Sequence, residues 1–175
     1  MCNRYGSLIF KPPPFPTITS EPGYIKGYVR RFAQKSHDHR GTEDNPGRGR
    51  VYRIPEDDGE EIWAYLDHRE KDGYTVRHVD VYNLDEQGRE IVVEHNCRVY
   101  VGETDNPSFA GGEPMLELAR RIAKSEGPSG LNRDYLYKLA QAVRILSKED
   151  DAYLLELERL VREAETEMRK TGKTL

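Results

Sequence analysis

Apolar positions change their spacing about two-thirds of the way along the chain. Before residue 110 they alternate with polar ones in short runs, punctuated by Pro and Gly; from residue 113 onward they recur every three or four residues. Alternation is the mark of a strand with one face buried, and three-to-four spacing is the mark of an amphipathic helix. The aromatic and β-branched run Gly23–Ala33 predicts a strand, and Gly49–Ile54 predicts a second. Ile62, Tyr65 and Leu66 have helical spacing, so 58–68 is a short helix. Asp72-Gly73 turns the chain into a strand over 74–82, and Asp85–Gly88 turns it again into 89–102, two runs that form a hairpin. Pro12, Pro13, Pro14 and Pro16 can neither donate to a ladder nor continue a helix, and read as an extended loop.

The second part is all helix. Pro114 suits a first turn, and Met115, Leu118, Ala119, Ile122 and Ala123 make one stripe. Gly127-Pro128-Ser129-Gly130 breaks it. Asn132 is placed to cap the next helix, whose stripe is Tyr135, Leu136, Leu139, Ala140, Val143 and Leu146. Ser147 and Asp150 resemble a capping box before a last helix that buries Tyr153, Leu157, Leu160, Val161, Ala164 and Met168. The expected class is α+β: a small, mostly antiparallel β-barrel or sheet with flanking helices, in one domain over 1–175.

Composition narrows the setting. Hydrophobic residues are 36% of 175, so the core is thin, but a net charge of −4 does not oppose collapse. The longest unbroken apolar run is Ile62–Leu66, far short of the ~20 residues of a membrane span. No secretory hydrophobic segment follows Met1–Asn3. Cys2 and Cys97 make no disulfide framework. A reduced, cytoplasmic protein that binds no membrane is the expectation.

Four features carry possible chemistry. Glu70, in Arg69-Glu70-Lys71-Asp72-Gly73-Tyr74, is a carboxylate at a helix end before a glycine turn, well placed to face a pocket. Composition alone reads it as a solvated, salt-bridging Glu. Tyr5-Gly6-Ser7-Leu8 is a short loop after a possible first strand, where Gly lets a ligand approach the backbone; spacing alone reads it as a plain turn. His37-Asp38-His39 invites a metal, but His68, His78, His95 and the Cys residues offer no compatible spacing, so no metal is expected. Arg30, Arg31, Arg40, Arg48, Arg50 and Arg53, interleaved with Tyr28, Phe32 and Tyr52, would suit single-stranded nucleic acid, but an ordinary strand has the same alternation. Cys97, inside a strand, reads as a small core residue.

Taken in order, YGSLIFKPP, GYIKGYVRRFAQ, DHRGTEDNPGR, YRIPE, YLDHREKDGYT, YVGETDNP and GPSGLNRDYL resemble the ChaC family of glutathione-specific gamma-glutamylcyclotransferases. The resemblance runs from Tyr5 to the last helix. It implies a cytosolic enzyme that splits glutathione into 5-oxoproline and cysteinylglycine, with no metal or organic cofactor. On the residues themselves, no nucleic-acid partner is expected. It also implies a small β-barrel with flanking helices. By the resemblance, Tyr5, Gly6, Ser7 and Leu8 hold the gamma-glutamyl group and Glu70 is the catalytic carboxylate.

This chain also departs from the family pattern. Arg4 stands where Gly is usual, Ala33 where the family has Trp, and His37 where Thr is common. A valine-rich strand, its turn and the start of the next strand are missing between Gly47-Arg48 and Val51-Tyr52, which predicts a sheet that is short or open there. Intact Glu70 and YGSL favour the active enzyme, whereas Arg4 and the missing strand favour a second reading: an inactive, shortened relative that binds gamma-glutamyl compounds or a protein partner without turnover.

Overall fold

Five strands from the alternating part of the chain close into a barrel, and three helices from the periodic part form a second layer with its own core. The computed structural model describes residues 2–4, 9–11, 14, 19–28, 30, 32, 47–55, 57, 59–69, 74–105, 113–146 and 151–172. The strands are β1 (Cys2–Arg4), β2 (Thr19–Ile25), β3 (Gly47–Arg53), β4 (Thr75–Leu84) and β5 (Glu90–Val101), with helix α1 (Gly59–Arg69) between β3 and β4. Their order around the barrel is β1-β3-β2-β4-β5. All neighbours are antiparallel except β1 and β5, whose parallel pair Cys2↔Arg98 completes the closure.

The sheet is not open near Gly47–Tyr52, which corrects the expectation drawn from the missing segment. β3 pairs with β2 without a break from Thr19↔Arg53 to Ile25↔Gly47, and its other edge takes β1 from Cys2↔Tyr52 to Arg4↔Arg50. β3 is thus paired along its whole length on the β2 side and over Arg50–Tyr52 on the β1 side.

β2 begins four residues earlier than the alternation suggested, because Pro22 argues against a strand. In a strand, the N and the carbonyl of one residue face the same neighbour. Pro22 turns them toward β4, which pairs with β2 only at Tyr24↔Tyr82, so no ladder bond is lost. The Pro22 carbonyl instead accepts from Asn83 Nδ2 at 3.2 Å. The next residue, Gly23, lets the two strands meet: a Cβ there would lie 2.5 Å from Val81 Cγ1 and 3.2 Å from the Tyr82 carbonyl oxygen.

Inside the barrel, Ile25, Val51, Val81, Cys97, Val99 and Val101 form one buried cluster. Cys97 is fully buried there, as a core residue. The helical layer consists of α2 (Met115–Lys124), α3 (Asn132–Leu146) and α4 (Ala152–Lys170), with a two-stranded ribbon of β6 (Glu126–Gly127) and β7 (Gly130–Leu131) at the predicted break. Leu118, Ala119, Ile122 and Ala123 meet Leu136, Leu139, Ala140 and Val143, and both sets meet Leu154, Leu157, Val161 and Ala164. Ile9 and Phe32, from outside the helices, are buried in the same cluster.

Two expected caps differ. Asn132 starts α3, but its Oδ1 is buried and accepts no hydrogen bond among the described residues, so it does not cap. α4 is capped by Asp151, whose Oδ1 accepts from the Leu154 amide at 3.0 Å; Ser147 and Asp150 lie outside the described residues. Asp151 also binds the buried Arg30 at 2.6 Å, joining the stretch after β2 to the start of α4.

α4 buries Glu158 along with its apolar stripe, while Tyr153, Leu160 and Met168 are only partly covered. Arg144 Nη2 reaches Glu158 at 2.5 Å and Arg162 Nη2 at 2.7 Å. Burial alone would push this carboxyl up, but the two guanidinium groups outweigh burial and hold it below the ordinary glutamate value.

Gly23→Ala forces a methyl group into Val81 and lowers the unfolding free energy by about 1–3 kcal/mol in urea titration. Gly59→Ala, whose Cβ would meet only Trp63 Nε1 at 3.9 Å, leaves stability unchanged or slightly raised. The depressed Glu158 carboxyl stabilises the fold above its unfolded value, and that contribution is lost as pH falls through the folded value. Glu158→Gln is therefore less stable than wild type at pH 7, by about 1–3 kcal/mol. The gap narrows as pH falls below the ordinary glutamate range; a gap constant with pH contradicts the assignment.

Candidate active site

Helix α1 carries the approach to Glu70. Glu60 and Glu61 in its first turn complement the helix dipole. Ile62 and Leu66, four apart, bury one face against Ile54 and Tyr100, with Trp63, Tyr74 and Val76 around them. Along β5 the side chains alternate: Cys97, Val99 and Val101 enter the barrel, while Tyr100 lies on the outer face under α1.

The last turn of α1 is fixed to that outer face by polar contacts. The Tyr100 hydroxyl donates to Asp67 Oδ1. Arg98 Nη2 lies 3.8 Å from the same oxygen, and its guanidinium stacks 4.5 Å above the Trp63 ring. Beyond β5, Glu103 accepts from Thr75 Oγ1 at 3.2 Å and from Arg77 Nε at 2.9 Å, tying the end of β5 to the start of β4.

These contacts bring three points of the chain to one end of the barrel. β1 runs parallel to β5 from Cys2↔Arg98, so the chain leaves β1 after Arg4 at the level of Tyr100. β4 starts at Thr75, opposite Val101. α1 ends at Arg69, two residues after the Asp67 that Tyr100 holds. Tyr5, Gly6, Ser7 and Leu8 follow the first point, and Glu70 follows the third; all five lie outside the described residues. Their described neighbours converge.

The other expectations resolve as follows. Glu61 is exposed on α1. His37, Asp38 and His39 lie outside the described residues, and among the described residues no three His, Cys, Asp or Glu are grouped to hold a metal ion. Four described members of the basic strip are engaged elsewhere. Arg30 is buried on Asp151, Arg53 pairs with Glu94 at 3.0 Å, Tyr52 is buried, and Phe32 belongs to the helical core. Their alternation served burial and ion pairing rather than a stacking surface. No helix among the described residues is long and apolar enough to cross a membrane.

Asp67, Arg98 and Tyr100 escaped the reading of the sequence. The available signal was the strand alternation Cys97-Arg98-Val99-Tyr100, which puts Arg98 and Tyr100 on one face, together with a helix that has to cover it.

A family model described as ChaC-like protein matches residues 3–164. A Schizosaccharomyces pombe protein named glutathione-specific gamma-glutamylcyclotransferase is 39% identical over 194 aligned positions, covering 95% of this chain and 93% of its own length. Those 194 positions exceed the 175 residues here, so the relative carries residues inside the matched region that this chain lacks. A Saccharomyces cerevisiae protein of the same name is 36% identical, covering 79% of this chain and 83% of its own. Among solved structures, a yeast gamma-glutamyl cyclotransferase specific to glutathione superposes with a TM-score of 0.79 at 31% identity, over 93% of this chain and 95% of that one.

The contact between α1 and β5 is testable by itself. Tyr100→Phe and Asp67→Ala each lower stability, and in a double-mutant cycle by urea unfolding they show a coupling of about 1 kcal/mol. Additive effects would mean that the hydroxyl does not hold the end of α1.

Proposed function

We propose, on the premise that this chain belongs to the ChaC-like family, that it is a cytoplasmic gamma-glutamylcyclotransferase. Its reaction is the cleavage of glutathione to 5-oxoproline and cysteinylglycine. The observation that carries this reading is the match over residues 3–164, which holds both the Tyr5–Leu8 loop and Glu70, to relatives named for that activity. The convergence of the flanking elements at one barrel end supports a shared site for the two motifs. The inactive alternative drew on Arg4 and on a missing strand; the continuous β2–β3 ladder speaks against the second ground, and the relatives are named for the activity.

The chemistry asks little of the protein. The gamma-glutamyl group brings its own nucleophile, the free α-amine. Attack on the γ-carbonyl closes a five-membered ring, so proximity is built into the substrate. The new N–C bond forms as the amide bond to cysteine breaks. One proton leaves the attacking amine and one reaches the departing amine of cysteinylglycine. Glu70 does both in turn, first as base and then as acid. Backbone N–H groups of Tyr5, Gly6, Ser7 and Leu8 bind the gamma-glutamyl group and stabilise the oxyanion. With the nucleophile inside the substrate and a single proton to move, the reaction calls for no cofactor.

Glu70→Gln keeps the side chain's shape but cannot take up the proton. Release of 5-oxoproline from glutathione falls about 10²–10⁴-fold, while glutathione binding by calorimetry is nearly unchanged. Glu61→Gln, exposed on α1, stays near wild type. Equal turnover by wild type and Glu70→Gln would overturn the mechanism, and a wild type that binds glutathione without turnover would restore the inactive reading.

A further inference from the structure

Among the ion pairs between described residues, every arginine but one lies within 3.1 Å of its carboxylate. The exception is Arg98 of β5. Its Nη2 is 3.8 Å from Asp67 Oδ1, beyond a hydrogen bond, and that oxygen already accepts from the Tyr100 hydroxyl. The Trp63 ring covers one face of the guanidinium at 4.5 Å, and the side chain is only 26% exposed. None of its N–H donors makes a hydrogen bond among the described residues. A charged fork that is largely covered and makes no hydrogen bond is costly, and its presence calls for a reason.

The surroundings of Arg98 supply further donors. His78 lies directly opposite it on the β4–β5 ladder, so the two side chains share the outer face, and His78 is exposed. Neither the His78 ring nor the Trp63 indole N–H makes a hydrogen bond among the described residues. Three nitrogen-bearing side chains thus stand side by side with their hydrogen bonds unused. The one acid beside Arg98, Asp67, is 52% exposed, so water screens its charge and it does not bar an anion from the guanidinium. Arg98 is also flanked by two described elements: β1 pairs with it at Cys2↔Arg98, and Asp67 belongs to the last turn of α1.

A guanidinium fork matches a carboxylate, which takes two parallel N–H···O bonds from it. Glutathione carries two carboxylates. One belongs to the gamma-glutamyl group, and the other, on glycine, leaves with cysteinylglycine. We propose that Arg98, with Trp63 on its face and His78 beside it, is the subsite for the glycine carboxylate of glutathione. The role rests on the reading of this chain as a gamma-glutamylcyclotransferase. The glycine carboxylate takes no part in the proton transfers and keeps its charge throughout the reaction. Arg98 therefore selects the substrate by its far end and moves no proton.

The test uses the full chain and two substrates: glutathione, and its C-terminal amide, in which the glycine carboxylate becomes a neutral carboxamide. Wild type prefers glutathione in kcat/KM by about ten- to a hundredfold, the range of hydrogen bonds to a charged group. Arg98→Met keeps a long side chain against Trp63 but has no donors. It loses that factor on glutathione and keeps the wild-type kcat/KM on the amide, so the preference falls to about one. Arg98→Lys, which keeps the charge and loses the fork, falls between the two. An Arg98 that only supports α1 lowers both substrates alike on substitution, and that result overturns the proposal. So does a wild type that turns over both substrates equally well. Where Arg98→Met fails to fold, the preferences of wild type and Arg98→Lys decide, and an unchanged preference in Arg98→Lys counts against the fork. A wild type that releases 5-oxoproline from neither substrate overturns the functional reading instead. Calorimetry with cysteinylglycine and its amide then decides whether Arg98 holds the carboxylate: wild type binds the acid more tightly than the amide, and Arg98→Met binds both alike.

Discussion

Strand β1 has three residues, yet the barrel closes through it. One edge pairs with β3 and the other with β5, and the contact with β5 is the only parallel one in the barrel. Without β1, β3 and β5 would each expose an unpaired edge, with N–H and C=O groups open to another strand. Closure also fixes direction. Because β1 runs alongside β5, the chain leaves it toward the end where β5 finishes and β4 starts. The same constraint that satisfies the backbone thus directs the chain, as it leaves β1 at Arg4, toward the end of the barrel where α1 also terminates.

The helical layer depends on the barrel for little of its core, but it is pinned to the rest of the chain at a few strong points. Ile9 and Phe32 enter its core, Arg30 is buried against Asp151, and the Phe32 amide donates to the Tyr153 hydroxyl at 3.3 Å. A buried guanidinium is costly unless its charge is met, so the Arg30–Asp151 pair acts less as a source of net stability than as a fixed joint. Asp151 contributes to both partners at once, since its other oxygen caps α4. Loss of the Asp151 carboxylate would remove an ion pair from a buried guanidinium and the cap from a helix together.

Elements with a complete local pattern were legible in the sequence. The β4–β5 hairpin, the stripes of α2 and α3 and the short α1 all stand within one or two residues of where spacing put them, because burial follows period in each. The rest depended on partners far along the chain. Pro22 lies in a strand because β4 leaves that stretch of β2 unpaired, which no local window shows. Glu158 is buried because Arg144 and Arg162 meet it, whereas an isolated glutamate on a helix reads as solvent-facing. For the site, the residue types were legible only through the order of seven motifs. The clamp of Asp67 by Tyr100 and Arg98 was not, since it joins a helix to a strand some thirty residues away.

The match to relatives over more positions than this chain possesses raises the question of what a barrel of this kind can do without. Loop-closure entropy grows slowly with length, so shortening a connection between strands changes stability little. Register is far less forgiving, because a slip of one residue turns every side chain to the wrong face. Here β3 keeps one uninterrupted register with β2 over seven pairs, and Val51, its inward residue, sits in the interior cluster beside Val81 and Val99. That register keeps the inward set of β3 in phase. A deletion of the same size that shifted Val51 by one position would expose it, bring Arg50 or Tyr52 into an apolar interior, and open the barrel on the side where β1 docks.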